Sequence, residues 1–217
     1  MKKKSILIIG LGKFGTQMAI TLSSLGHDIM AVDSQEEKVN EAMPYVTEGR
    51  IGDSTNVAFL KELGVENYDL CFVTIGGDFQ SSLETTFSLK ELNAKRVISR
   101  AESDAQAKFL LRNGADEIIY PEKQLANWFS IKYSMDNILD YIELDSQFSI
   151  FEVEVPKTWI GKTILQVDIR KKYNINIIAI KENGVTNVNF TPDYIFTKEA
   201  TLLVIGEYKA IEKCFNI

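Results

Sequence analysis

The chain is poor in cysteine and histidine. Two cysteines occur in 217 residues: Cys71, inside the apolar run Leu70-Cys71-Phe72-Val73, and Cys214, near the C-terminus. Lacking CxxC spacing, they point to neither a metal site nor a disulfide, in keeping with a reducing compartment, and both read as small buried hydrophobes. No apolar run approaches the roughly 20 residues that span a bilayer. Met1-Lys2-Lys3-Lys4 leads into a strand-like run rather than a signal peptide and reads as a solvated end. The chain is therefore expected in the cytoplasm. An excess of positive charge is missing too. Net charge is −6, with 20 acidic against 15 basic side chains in residues 1–140 and 10 against 9 in 141–217. Neither part has the electrostatic footprint of a nucleic-acid partner. No Gly-x-Ser-x-Gly, His-Glu-x-x-His or P-loop sequence occurs.

What is present begins at residue 5. Ser5-Ile6-Leu7-Ile8-Ile9 reads as a buried parallel strand, Gly10-Leu11-Gly12-Lys13-Phe14-Gly15 follows it, and residues 13–25 are amphipathic. Eighteen residues after Gly15, the run Asp28-Ile29-Met30-Ala31-Val32 ends in Asp33. Strand, glycine turn, helix, strand and terminal acid form the dinucleotide-binding fingerprint. Gly10 permits a sharp turn off the strand. Gly12 lets backbone approach a diphosphate, and Gly15 lets the helix pack against the strand. The helix start offers unpaired N–H groups and a partial positive charge of about half a unit. Asp33 can accept both ribose hydroxyls and repels a 2′-phosphate, which disfavours NADP against NAD, ADP or ATP. The fingerprint does not choose among those three, and a turn or capping acid is the other reading of Asp33.

The alternation continues. Helices are expected over 35–43, 55–63, 79–92 and 104–113, and strands over 46–51, 69–74, 96–99 and 117–120. Strands and helices alternating through short links imply an α/β, Rossmann-like doubly wound parallel sheet of order 3-2-1-4-5-6. Residues 124–142 read as one long helix, too apolar for a solvated linker. It packs either on its own sheet or on a second subunit or domain. Beyond it, strands over 148–155, 175–181, 185–190 and 201–205, helices over 164–173 and 207–214, and the Asn183-Gly184 hairpin signal suggest a smaller α+β domain. The expected division is 1–122 for the nucleotide-binding domain, 123–144 for a linking or dimerisation helix, and 145–217 for the small domain.

Several residues fall at the strand ends where such folds bind ligands. Gly52-Asp53-Ser54-Thr55 follows the third strand, near an adenine, although Asp53 or Ser54 also suits a helix cap. Ser34 follows Asp33, and Ile75-Gly76-Gly77 follows the fourth strand, where backbone can approach ribose and phosphates. Arg100 can reach phosphates or form a surface ion pair. Glu122 can hold a metal shared with phosphate oxygens or merely open a helix. A catalyst is harder to find. An oxidoreductase needs a proton donor or acceptor beside its cofactor, yet His27 lies in the turn before the second strand, at the wrong edge of the sheet. Tyr194-x-x-x-Lys198 falls in the small domain and reads as coincidence.

At this point the residues resemble a known family over essentially the whole chain. Gly10-Leu11-Gly12-Lys13-Phe14-Gly15, Gly26-His27, Val32-Asp33, Glu36-Glu37-Lys38-Val39, Ile51-Gly52-Asp53-Ser54-Thr55, Gly114-Ala115-Asp116 and Pro121-Glu122-Lys123 resemble the RCK (regulator of potassium conductance) domain. The nearest likeness is to the stand-alone cytoplasmic subunits of bacterial Ktr and Trk potassium uptake systems. The resemblance implies a non-catalytic regulator lying at the inner face of the membrane, without inserting into it. It implies homo-oligomers, dimers assembling into a ring beneath a membrane potassium-translocating subunit. It also implies ATP, ADP or NAD(H) as ligand, with Gly12, Lys13, Phe14, Asp33, Lys38, Asp53, Arg100 and Glu122 at the nucleotide site. Lys13 stands where some members carry Arg, a point charge in place of a bidentate fork. Glu122 resembles a family position for Mg or Ca. The small domain resembles those that bind cyclic di-AMP, through Ile164, Leu165, Arg170, Asn176, Ile177 and Pro192, with plain domain packing as the other reading. The alternative to a regulator is an NAD-dependent oxidoreductase.

Overall fold

The computed structural model describes residues 2–134 and 138–215. The chain divides into two compact units, Met1–Lys123 and Gln124–Ile217. The first unit runs β1 (Ser5–Ile9), α1 (Lys13–Ser24), β2 (Asp28–Asp33), α2 (Glu36–Ala42), β3 (Glu48–Ile51), α3 (Val57–Glu62), β4 (Leu70–Val73), α4 (Phe79–Glu91), β5 (Val97–Arg100), α5 (Asp104–Arg112) and β6 (Glu117–Ile119). Its strands pair in parallel in the order β3-β2-β1-β4-β5-β6, as the alternation predicts.

The apolar run of β1 is continuous because both faces of the sheet are covered. Ile6 and Ile8 pack with Ala19, Ile29 and Val39 on one face. Leu7 and Ile9 pack with Leu60, Cys71 and Leu89 on the other. Burial pushes the Cys71 thiol up to about 12, and does the same to Cys214. Both cysteines are free and un-ionised at neutral pH, as small hydrophobes should be. The inward face of α4 is less ordinary, since it buries Ser82, Thr85, Thr86 and Ser88 beside Leu89. Ser54 Oγ and Thr85 Oγ1 lie 2.8 Å apart. Thr86 Oγ1 donates to the Ser82 carbonyl, so at 2.8 Å the Ser99 hydroxyl is its donor. Directional bonds thus tie α4 to the loop after β3 and to β5.

The second unit is built on an antiparallel sheet of order β10-β9-β11-β8-β7. It comprises β7 (Ile138–Glu143), β8 (Phe148–Glu154), α7 (Ile164–Val167), α8 (Ile169–Tyr173), β9 (Asn176–Glu182), β10 (Val185–Asn187), β11 (Thr201–Glu207) and α9 (Tyr208–Phe215). Alternate residues of β8 and β11 are buried, which sends Phe151, Val153, Leu202 and Val204 into a core with Ile175, Phe196 and Ile211. Asn183 and Gly184 both have positive φ, 50° and 77°, as the two-residue turn joining β9 and β10 requires.

Two expectations need correction. The long helix over 124–142 is instead α6 (Pro121–Ser134) followed by β7, which pairs antiparallel with β8. Residues 135–137 of the expected helix lie outside the described residues. The physical cause of the difference lies in β7. A register shift between Ile138 and Asp140 buries Ile138 and Tyr141, three residues apart, and so imitates a helical period. The two readings of the helix's apolar residues divide between its faces. Trp128 and Ile131 pack on the core of the second unit, whereas Leu125, Phe129 and Tyr133 are exposed. The other correction concerns 164–173, which is two short helices. Asp168 adopts a left-handed conformation (φ 51°) that ends α7 and begins α8. No helix among the described residues is long and apolar enough to cross a membrane.

Candidate functional site

Strand order reverses between β1 and β4, and at their C-terminal ends lies a cleft of about 600 Å³. Gly10, Gly12, Lys13 and Phe14 line it from the β1–α1 turn, and Asp33, Ser34 and Lys38 from the end of β2 and from α2. Asp53 and Ser54 reach it after β3, Ile75 and Gly76 after β4, and Arg100 and Glu122 from β5 and the start of α6. Of the residues expected at the nucleotide site, Gly15 alone lies outside the lining, one layer beneath.

The three glycines of the turn have different physical reasons. Gly10 has φ +98°, and a Cβ there would lie 2.8 Å from the Ile75 nitrogen. At Gly15 a Cβ would fall on the Gly10 carbonyl oxygen and 2.6 Å from Thr74 Oγ1. That hydroxyl donates to the Gly10 carbonyl at 2.6 Å, closing the turn against β4. Gly12 is unlike both. Its φ of −68° suits any residue, and a Cβ there meets nothing within 4 Å. No contact inside the protein requires glycine at this position. Gly12 is also the N-cap of α1, with no side-chain cap and no acid in the first turn, so no side chain of the helix itself covers its positive end at the cleft.

Asp33 is 8% exposed. Its Oδ2 accepts the Leu11 N–H at 2.7 Å and its Oδ1 the Gln35 N–H at 2.9 Å, with Lys38 Nζ 3.9 Å from Oδ2. It is therefore a turn acid. A carboxylate has about four acceptor positions, so two remain for other donors. Asp53 does not cap α3: Asn56 does, accepting the Ala58 N–H. Asp53 instead takes the N–H and hydroxyl of Thr55, and these bonds hold its carboxyl below the usual range. Ser54 is occupied by Thr85.

Arg100 is half-buried in the wall of the cleft. Its Nη2 lies 2.5 Å from Glu122 Oε1 and 3.3 Å from Glu102 Oε1, and its guanidinium sits 6.0 Å from the centre of the Phe14 ring. Its Nε is buried without a hydrogen-bond partner. Gly76 makes room for it, because a Cβ there would collide with Nη1. Glu122 thus opens α6 and faces a cation already present. Among the described residues no group of three or more His, Cys, Asp or Glu is placed to hold a metal ion.

Thr74, Asp78 and Glu102 also line the cleft and were not singled out by the sequence. Thr74 follows β4 and Glu102 follows β5, so the rule that sites gather at carboxyl ends of strands was the signal available for both. Asp78 caps α4 through the Ser81 hydroxyl and N–H, which lower its carboxyl pKa. His27 lies away from the cleft, its Nδ1 accepting the Lys4 N–H. In the second unit, Leu165 N donates to the Pro192 carbonyl and Ile164 N to that of Tyr194. Ile164 and Ile177 pack on the core, whereas Leu165, Arg170 and Asn176 are exposed.

Comparison with known proteins agrees with this architecture. Residues 6–121 match the TrkA-N domain and residues 148–217 the TrkA-C domain. Ktr system potassium uptake protein C of Bacillus subtilis (strain 168) is 38% identical over 211 residues, covering 97% of this chain and 96% of that one. The crystal structure of the GsuK RCK domain superposes with a TM-score of 0.68 at 18% identity, over 99% of this chain and 47% of that one. The GsuK channel bound to NAD gives a TM-score of 0.68 at 18% identity, over 97% of this chain and 39% of that one. The chain spans less than half the length of either solved protein, and the likeness to them is one of fold. Matched in both its parts, and nearly end to end by a Ktr protein, this chain belongs to the TrkA-N/TrkA-C family of potassium uptake proteins.

Proposed function

We propose that the chain is a cytoplasmic, non-catalytic regulatory subunit. It binds an adenine nucleotide in the cleft of its first unit and passes occupancy to a membrane potassium-translocating partner. The observation that carries this is Gly12. A glycine with ordinary backbone angles and no neighbour to avoid has its reason outside the chain, and a diphosphate at the start of α1 supplies one. Lys13 would meet the phosphates, the two free positions of Asp33 the ribose, and the Asp53–Ser54 segment the adenine. ATP, ADP and NAD(H) share these groups, and NAD is the ligand named for one structure of the same fold. Glu122 is the candidate for a Mg or Ca ion shared with phosphate oxygens, and would bind it in place of Arg100.

Ligand can move the partner only through different affinities for two assembly geometries. The exposed stripe Leu125, Phe129 and Tyr133, at spacings of four along α6, is the surface a second copy would cover in a dimer and hence in a ring. Cyclic di-AMP is the proposed ligand of the second unit, near Leu165, Arg170 and Pro192. The alternative, an oxidoreductase, would have to draw its proton donor from the lysines and carboxylates of the lining, which contains no histidine, tyrosine or cysteine. Turnover of NADH with a carbonyl panel would count against the regulator.

Thermal shift with ATP, ADP, NAD, NADH and cyclic di-AMP tests the reading. A ligand at a hundred times its Kd adds about 2.7 kcal/mol, a rise in Tm of several degrees. If none stabilises the chain at millimolar concentration, the proposal fails. Asp33→Ala should abolish the response to the first four ligands and keep any response to cyclic di-AMP. It should also lower unliganded stability by about 1–3 kcal/mol, because the Leu11 N–H loses its acceptor. Affinities by calorimetry separate the two effects.

A further inference from the structure

The cleft that we assign to a phosphorylated ligand holds more acid than base. Lys13, Lys38 and Arg100 face Asp33, Asp53, Asp78, Glu102 and Glu122. Lys38 is near Asp33, and Arg100 lies between Glu122 and Glu102. Glu102 is the least expected of these acids. Its Oε1 accepts the Gly77 N–H at 3.2 Å while lying 3.3 Å from Arg100 Nη2, so backbone fixes it beside the cation. Arg100 in turn faces the glycine turn through the Phe14 ring, and Gly76 gives it its seat. Two carboxylates on one guanidinium leave that corner of the cleft net negative.

We infer that Glu102 determines the charge of the ligand the cleft accepts, favouring an adenine ligand whose phosphates are singly ionised diesters over one ending in a doubly ionised terminal phosphate. The inference rests on the nucleotide reading above and adds a selection rule to it. A carboxylate beside the outermost phosphate opposes the extra charge there by about tenfold in affinity, and opposes phosphates farther away by less. The effect is local and falls off beyond about 10 Å at ordinary salt.

Glu102→Gln in the full chain removes the charge and keeps the carbonyl oxygen that Gly77 needs. Affinities of wild type and variant for NAD, ADP and ATP, measured by calorimetry in metal-free buffer with a chelator, form the test. ATP should tighten about tenfold in the variant, ADP by less, and NAD by under about twofold. The unliganded Tm should not move, which separates charge selection from a structural role. Glu102→Ala, which also drops the Gly77 acceptor, should reorder the three ligands in the same sense even if it loses stability. An equal change for all three ligands, or none, overturns the inference while leaving nucleotide binding intact. Failure of the wild type to bind any of the three overturns the nucleotide reading, and this one with it.

Discussion

Gly12→Ala is expected to leave the unliganded chain within about 1 kcal/mol of wild type, the scale of a change in N-cap preference, and to weaken nucleotide binding tenfold to a hundredfold. The methyl group meets nothing in the protein, and the backbone angles already suit alanine. It would meet a phosphate held against the first turn of α1, and forcing a methyl into a filled contact costs about 1–3 kcal/mol. Urea denaturation of the unliganded chain and calorimetry with ATP, ADP and NAD read the two halves separately. Unchanged affinity for all three would remove the main support for a phosphate at this turn.

Gly15→Ala should do the reverse. Alanine is preferred over glycine inside a helix by about 1 kcal/mol, so propensity alone predicts a gain. The new Cβ, however, would fall on the Gly10 carbonyl oxygen and crowd Thr74 Oγ1, both held by the bond between them. Backbone cannot swing aside as a flexible side chain can. The expected result is a loss of about 3 kcal/mol or more in unliganded stability, read as a lower urea midpoint. A gain would mean that the turn relaxes freely, contrary to its closure by Thr74. Two glycines three residues apart in one motif are thus expected to answer to different partners, Gly12 to the proposed ligand and Gly15 to the chain itself.

The first unit was largely legible because its signals are local and repeated. The run Ile6–Ile9, the glycine turn and the acid ending β2 each have a period or a spacing, and the crossover rule then orders the strands. The second unit was less so. β7 escaped because its register shift buries Ile138 and Tyr141 at a helical interval. The break at Asp168 escaped because left-handed backbone in an aspartate leaves no pattern in composition. In the cleft, the residues on the turn and at strand ends could be placed from sequence, but their partners could not. That Asp33 holds Leu11, that Arg100 is shared by Glu122 and Glu102, and that Gly76 is small for the sake of Arg100 are facts of distance between segments far apart in the chain.

Asp33 carries a kinetic consequence. Its two N–H bonds join the glycine turn to the segment after β2 before any ligand arrives. A ligand meeting such a turn has little loop to immobilise, so encounter should proceed at the pace of diffusion and docking rather than wait for a rearrangement. Discrimination among ligands then falls mainly on residence time: those that fit differ from those that do not in how slowly they leave.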